Sequence, residues 1–287
     1  MTIKSILVPL PEPQLAATSL KAAFTVANAF DAHIDVLHAR PDPRMVAAAY
    51  MNDSMAGPMI EQVMKDTEKQ SAQTARKTRE AFDKACAAAK VRYAEKPGRT
   101  AGVTAAWRED IGEEDQLLRR YGRVTDLIVL PRPSGDLDIG IRLSLEAALM
   151  ETGRPLLLVP PKAPTKIGSN IAIAWNGSTE AARAVDEAKP FLENARKVTI
   201  MTAAERNTDH DPEDLQSFLA WHGVKAAIEK VRSRDDVGKA LLSAATRLGV
   251  DLLVMGAYSH SRVREMILGG VTRHVLSNVT MPALMAH

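Results

Sequence analysis

Val250-Asp-Leu-Leu-Val-Met-Gly256 restates an earlier run, Thr125-Asp-Leu-Ile-Val-Leu-Pro131, and that likeness decides how the chain is built. Each run is short, continuously apolar and led by an aspartate, the pattern of a parallel strand buried on both faces. Two further echoes keep the same order. Ser5-Ile-Leu-Val-Pro-Leu10 returns as Asn170-Ile-Ala-Ile-Ala-Trp175, and Arg154-Pro-Leu-Leu-Leu-Val-Pro160 returns as Met281-Pro-Ala-Leu-Met-Ala-His287. Three matches in one order read as an internal duplication.

The halves meet in Pro160-Pro-Lys-Ala-Pro-Thr-Lys-Ile-Gly168, whose prolines and lysines suit a solvated linker. The expected domains are therefore 1–162 and 168–287. The first half is about 40 residues longer between its matches, and a helical insertion over about 41–90 accounts for the difference. Within it, Pro58 to Lys90 reads as one long helix, and Met45, Met51, Met55, Met59 and Met64 are expected to fill apolar contacts.

Strands alternate with helices in both halves. The expected strands are 4–10, 33–39, 91–96, 125–131 and 155–160, then 170–175, 197–203, 225–231, 250–256 and 282–287. Helical patterns in the second half cover 178–193, 211–222, 235–248 and 269–279, with Asp235 and Asp236 set to cap the third of these. This order implies an α/β protein of two tandem doubly wound parallel-sheet domains, Rossmann-like or flavodoxin-like. In such sheets a ligand binds outside the carboxyl ends of the strands.

Composition excludes several function classes. Of 287 residues 37 are basic and 35 acidic, a net +2, which gives no general attraction for nucleic acid or an anionic membrane. Aromatic residues are only 4%, too few for a stacking platform along a single strand. One cysteine, Cys86, leaves no internal disulfide and no multi-cysteine zinc site, and its alanine-rich surroundings place it in a helix as a small buried residue. No apolar leader precedes the first strand and no run approaches ~18 apolar residues, so the expectation is a soluble, cytoplasmic protein. There is no P-loop, no dinucleotide fingerprint, no zinc-protease helix and no nucleophile elbow. Asp209-His210-Asp211 reads as a capping turn rather than a metal site, and His38 as a structural histidine.

Chemistry concentrates after the strand that ends at Met255, in Gly256-Ala-Tyr-Ser-His-Ser-Arg-Val-Arg-Glu-Met-Ile-Leu-Gly-Gly-Val-Thr272. Gly256 ends the strand where a close backbone approach or a positive φ is needed, and Gly269-Gly270-Val271-Thr272 opens a helix whose free N–H groups suit an anion. Ser259, Ser261 and Thr272 offer hydroxyls, and His260 and Arg262 offer charge. Spacing alone leaves a plain strand–loop–helix, with glycines used only for turns, as the alternative.

In this loop the chain resembles the universal stress protein family, whose signature after the fourth strand is Gly, two residues, Gly, nine residues, Gly, then Ser or Thr. Gly256 and Gly269 match without a gap, while Ser259 stands at the second Gly and Gly270 at the Ser/Thr. Ser261, Leu268, Val271, Val275, Leu276 and Pro282 fit the flanking pattern. The resemblance implies binding of ATP or another adenine nucleotide, with or without Mg²⁺, and a triphosphate lying along this loop from Met255 to Thr272. It also implies that the nucleoside side is formed by Ala174, Trp175 and Asn176, where Asn176 replaces the family's usual Asp, and by Met201-Thr202-Ala203 at the end of the second strand.

The first half lacks the signature. Pro131 replaces the first Gly, Asp136 and Asp138 would repel phosphate, and Pro9 and Pro11 remove backbone donors. Its expected role is the built-in partner of a pseudo-dimer, which is itself capable of pairing as a homodimer. Function is thus expected to be that of a regulatory stress protein with a nucleotide and a protein partner. A slow Mg²⁺-dependent ATP hydrolase or phosphotransferase, and a nucleotide-independent interaction module, are the alternatives. No catalytic residue and no metal ligand are assigned.

Overall fold

Apolar runs that cannot face water on either side become the central strands of a single mixed sheet, here described from a computed structural model. The structure describes residues 2–50, 57–96, 102–133, 139–162, 164–203, 211–232, 236–258 and 270–287. The first half contains β1 (Ser5–Pro9), α1 (Ala16–Phe30), β2 (His33–Arg40), α2 (Pro43–Tyr50), α3 (Gly57–Ala89), β3 (Arg92–Tyr93), β4 (Thr104–Ile111), α4 (Glu114–Gly122), β5 (Leu127–Pro131), α5 (Ile139–Glu151) and β6 (Leu156–Val159). The second contains β7 (Asn170–Ala174), α6 (Thr179–Glu187), α7 (Lys189–Asn194), β8 (Lys197–Ala203), α8 (Pro212–Trp221), β9 (Ala226–Val231), α9 (Val237–Arg247), β10 (Leu252–Gly256), α10 (Gly270–Asn278) and β11 (Ala283–Ala286).

Eleven strands lie in the order β3-β4-β2-β1-β5-β6-β11-β10-β7-β8-β9. The second half runs β9-β8-β7-β10-β11, and the first half runs β4-β2-β1-β5-β6 with β3 added outside, so both follow one doubly wound order. Among the described residues all pairings are parallel except that of β6 with β11, where Leu157 faces Leu284 in antiparallel register. Two apolar cores, one on each face, run unbroken across this junction. Leu157, Val159, Leu284 and Ala286 serve one, and Leu156, Leu158, Ala283 and Met285 serve the other. Phe30 and Phe191 meet edge to face at 5.1 Å, joining α1 to α7. The Arg132 guanidinium, leaving β5, donates to the carbonyl of Ser277 near the end of α10.

The repeated aspartates do the same work in both halves. Asp126 Oδ2 accepts from the N–H groups of Lys4 (2.8 Å) and Ser5 (3.0 Å). Asp251 Oδ1 accepts from Gly168, Ser169 and Asn170 (2.9, 2.9 and 3.0 Å). Each carboxylate ties down the entry of the first strand beside it, which explains why both apolar runs begin with Asp.

Several expectations are corrected. The strand expected at 91–96 shrinks to the exposed pair Arg92–Tyr93, and the third strand of the first half is β4. Its charged stretch Arg108-Glu109-Asp110 hides the strand pattern, because those charges are satisfied by tertiary partners. Tyr121 Oη donates to Asp110 (2.7 Å), Arg40 reaches Glu109 (3.2 Å), and Arg108 lies over the Tyr121 ring at 4.7 Å. The helix expected at 178–193 is broken into α6 and α7, with Pro190 in the first turn of α7. Met45 and Met59 are mostly exposed, at 65% and 59%, rather than filling apolar gaps, and Met51 and Met55 lie outside the described residues.

Other expectations hold in detail. Asp236 caps α9 by accepting from Lys239 N–H (2.9 Å), and Asp211 caps α8 by accepting from Glu213 N–H (3.3 Å). Asp209, His210 and Asp235 lie outside the described residues. Cys86 is half-buried in α3, where burial first and the nearby Asp83 second push its thiol up to about 11, well away from a reactive thiolate. No described helix is long and apolar enough to cross a membrane.

Candidate functional site

Register brings the ends of three strands of the second half side by side. Ala174 pairs with Met201 on one flank and Met255 on the other, and Trp175 N–H continues the ladder to Met201 O at 2.9 Å. The expected site residues Ala174, Trp175, Thr202, Met255 and Gly256 thus share one carboxyl edge. Asn176 stands exposed just beyond it. Gly270, Val271 and Thr272 form the first turn of α10, which by the parallel crossover from β10 to β11 starts from that same edge. Thr272 is buried, whereas Gly270 is exposed and a Cβ there would meet nothing within 4 Å. Ser259, His260, Ser261, Arg262 and Gly269 lie outside the described residues, as do Asp136 and Asp138 of the first half.

Two of these residues have structural duties of their own. A Cβ at Gly256 would lie 2.5 Å from Ala181 N and 2.6 Å from the Glu180 carbonyl carbon, so the end of β10 is pressed against the first turn of α6. The close approach expected at this glycine is real, and its partner in the structure is the protein's own backbone. Asn176 Oδ1 accepts from Ser178 N–H (3.2 Å), and Ser178 Oγ in turn accepts from Ala181 N–H (3.2 Å) as the cap of α6. Gly177 between them adopts φ +71°, a left-handed turn that favours glycine. The amide oxygen of Asn176 is therefore spent on the turn.

The edge also carries titratable groups that sequence reading did not single out. Burial alone would raise the Glu180 carboxyl, but its own backbone N–H, the hydroxyls of Thr179 and Ser178, and the nearby His287 hold it below its usual value. His287 donates Nδ1–H to Ala257 O (3.0 Å), and its ring meets that of Tyr258 at 6.2 Å. Tyr258 has a left-handed φ of +63°, and burial, helped by Glu146 of α5, pushes its phenol up to about 12. An acid at a helix's first turn is the one sequence cue that could have drawn attention to Glu180.

Tyr258 makes a pH prediction. An unfolded tyrosine loses its proton near pH 10, whereas this one holds it to about 12, so its stabilising share is whole below pH 10 and is lost as pH rises through 12. The melting temperature of Tyr258→Phe is expected to fall less between pH 10 and 12 than that of the native chain. Parallel melting curves across that range would show that the phenol is not buried as described.

At the corresponding edge of the first half two buried residues stand at the ends of β1 and β2. Leu10 is fully buried, and His38, also buried, donates Nδ1–H to Leu10 O (2.8 Å). Arg40 binds Glu68 (2.6 Å) and Ser71 (3.2 Å) of α3, fastening that helix to the end of β2. Among the described residues no group of three or more His, Cys, Asp or Glu is placed to hold a metal ion.

Comparison with known proteins gives one consistent picture. Residues 169–287 match the model of the universal stress protein family. Universal stress protein Slr1230 of Synechocystis sp. is 24% identical over 152 residues, which is 49% of this chain and 50% of that protein. The chain thus spans about half the length of the curated relative it matches. Among solved structures, a universal stress protein from Archaeoglobus fulgidus superposes with a TM-score of 0.65 at 15% identity, covering 99% of this chain and 96% of that one. A putative universal stress protein from Pseudomonas aeruginosa gives 0.51 at 16% identity, covering 99% and 93%. At these identities the structural likeness shows the fold.

Proposed function

We propose that the chain, whose residues 169–287 match the universal stress protein family model, is a regulatory stress protein that binds one adenine nucleotide at the carboxyl edge of its second half. The carrying observation is the junction of that edge with α10. The ends of β7, β8 and β10 lie in register, and the helix that follows opens with an exposed glycine where an added Cβ would meet nothing within 4 Å. Unpaired N–H groups at such a helix start attract phosphate. The triphosphate would run from Gly256 past Ser259, His260, Ser261 and Arg262 to Gly269, Gly270, Val271 and Thr272. The nucleoside would lie toward Ala174, Trp175, Asn176 and Thr202, with Met255 between the two. Mg²⁺ would accompany the phosphates as part of the ligand.

The first half supports this reading by contrast. At its own edge Leu10 and His38 are buried, Arg40 fastens the end of β2 to α3, and the signature is absent, so a stoichiometry near one nucleotide per chain is expected. We read that half as a built-in partner, joined through β6 and β11, for the half that binds.

Calorimetric titration of the chain with ATP, ADP and AMP, each with Mg²⁺, tests the proposal. Saturable binding near one per chain is expected, with Gly269→Val weakening it at least tenfold while the melting temperature without ligand stays unchanged. An unchanged affinity in that variant would remove the loop from the site. Absence of heat and of any nucleotide-dependent melting shift in the native chain would leave a protein that acts by contact alone. Phosphate release dependent on Mg²⁺ and lost in Gly269→Val would favour the hydrolase reading instead.

A further inference from the structure

The two halves correspond strand by strand. Ile6 pairs with Ile34 and Ile34 with Ala105, while Ile171 pairs with Val198 and Val198 with Ala226. At the strand ends Leu10 N–H donates to Leu37 O (2.8 Å) and Trp175 N–H donates to Met201 O (2.9 Å), so the two registers agree. Ala105 of β4 and Ala226 of β9 therefore hold the same place, on the third strand outward in each half.

Their outward carbonyls are answered differently. Beyond β4 lies β3, and Ala94 N–H, directly after it, donates to Ala105 O (2.9 Å). Beyond β9 no strand lies among the described residues. There the side-chain amide of Gln216, from α8, donates to Ala226 O (2.7 Å). A side chain thus stands where the first half has a strand's N–H. In a parallel ladder alternate residues turn both backbone groups to the same side, so Ile228 and Lys230 face outward with Ala226. Such an edge is a template for an added strand, and the first half already carries one at this place.

The flanks of β9 indicate the chemistry of that strand. Between β9 and α9 lies a cavity of about 320 Å³ whose lining includes Lys230, Arg232, Arg247, Glu229 and Ser243. It holds three cations to one carboxylate, and Glu229 is already bound by Arg247 (2.6 Å). On the other flank Ile228 packs, only part-buried, against the core under α8. Side chains of an added strand alternate between these two flanks. We propose that the outer edge of β9 is the docking site of an extended acidic segment of a partner protein, added parallel to β9 as β3 is to β4. Its N–H replaces Gln216 at Ala226 O, its acidic side chains turn toward the cavity, and the alternate apolar ones turn toward Ile228. The exchange at Ala226 trades one hydrogen bond for another, so the affinity comes from new bonds at Ile228 and Lys230 and from the charge match. A second copy fits less well. Two-fold antiparallel pairing of two β9 strands would set both basic cavities on one face, cation against cation.

The test titrates the whole chain, labelled with ¹⁵N, with synthetic peptides. One alternates Asp and Val, a twin of it is methylated on its backbone nitrogens and keeps only the charge, and a third alternates Lys and Val. The Asp–Val peptide is expected to bind saturably, near one per chain, and to slow hydrogen exchange of the Ile228 and Lys230 amides at least tenfold. The methylated twin and the Lys–Val peptide are expected to bind at least tenfold more weakly. Changing Lys230→Glu together with Arg232→Glu is expected to cost the Asp–Val peptide a similar factor. Gln216→Ala, which leaves nothing to displace, is expected to tighten it roughly three- to tenfold, the scale of one hydrogen bond. No binding of the Asp–Val peptide would overturn the proposal. Equal binding of its methylated twin, or unchanged exchange at Ile228 and Lys230 with peptide bound, would overturn it too, by reducing the contact to surface charge. Dimerisation of Gln216→Ala in sedimentation equilibrium without peptide would give the edge to a second copy and overturn the acidic partner.

Discussion

Gly256→Ala is expected to lower the stability of the chain by about 3 kcal/mol or more, the upper end of overpacking costs. In melting temperature this is roughly 6–12 °C for a chain of this size. The added methyl would sit 2.5 Å from Ala181 N, 2.6 Å from the Glu180 carbonyl carbon and 2.9 Å from Glu180 Cβ. Two of these three atoms are backbone, so no rotamer change relieves the clash and α6 itself must shift. That helix buries Ala181, Ala184 and Val185 against the sheet, and moving it opens the core on that face. Gly270→Ala is the matched control. Its site is open and helical, so the change is expected to cost less than about 0.5 kcal/mol. Thermal melts of both variants without nucleotide provide the check. If Gly256→Ala melts like the native chain, the contact of β10 with α6 yields and the close approach is not a structural constraint.

Residues 164–287 produced alone are expected to form a dimer. Removing the first half strips β6 from β11 and uncovers Ala283, Leu284 and Met285, all fully buried in the whole chain. A bare apolar edge strand recruits another strand. The partner at hand is β11 of a second copy, because antiparallel pairing of identical strands gives a closed two-fold contact that repeats the β6–β11 junction. Sedimentation equilibrium should report twice the monomer mass at micromolar concentrations, and the melting temperature should rise with concentration. A well-folded monomer with a concentration-independent melt would show that the junction is dispensable to the second half. Aggregation would show that the shared cores, rather than the strand edge, are what the first half protects.

The duplication was legible because it is written in continuous apolar runs, which only a two-sided burial explains. Asp126 and Asp251 were visible as repeated letters, and their shared role in pinning the strand entries became clear only from the backbone N–H groups they accept from. The edge proposed for the nucleotide was legible as an edge. Ala174, Trp175, Thr202, Met255 and Gly256 come together as the strand order requires. β4 was not legible, since Arg108, Glu109 and Asp110 are the residues of a loop or helix face until Tyr121, Arg40 and Asp35 are placed against them.

What the sequence determined by itself, then, was which segments must be buried and how often the pattern repeats, because hydrophobic periodicity is local and needs no partner to be read. What only the tertiary structure decided was which partner each exceptional residue answers to. Gly256 answers to α6, His38 to Leu10 and Trp107, and β6 to β11 across the two halves. Close contacts and hydrogen bonds between residues far apart in the chain depend on distances that no single stretch of sequence contains.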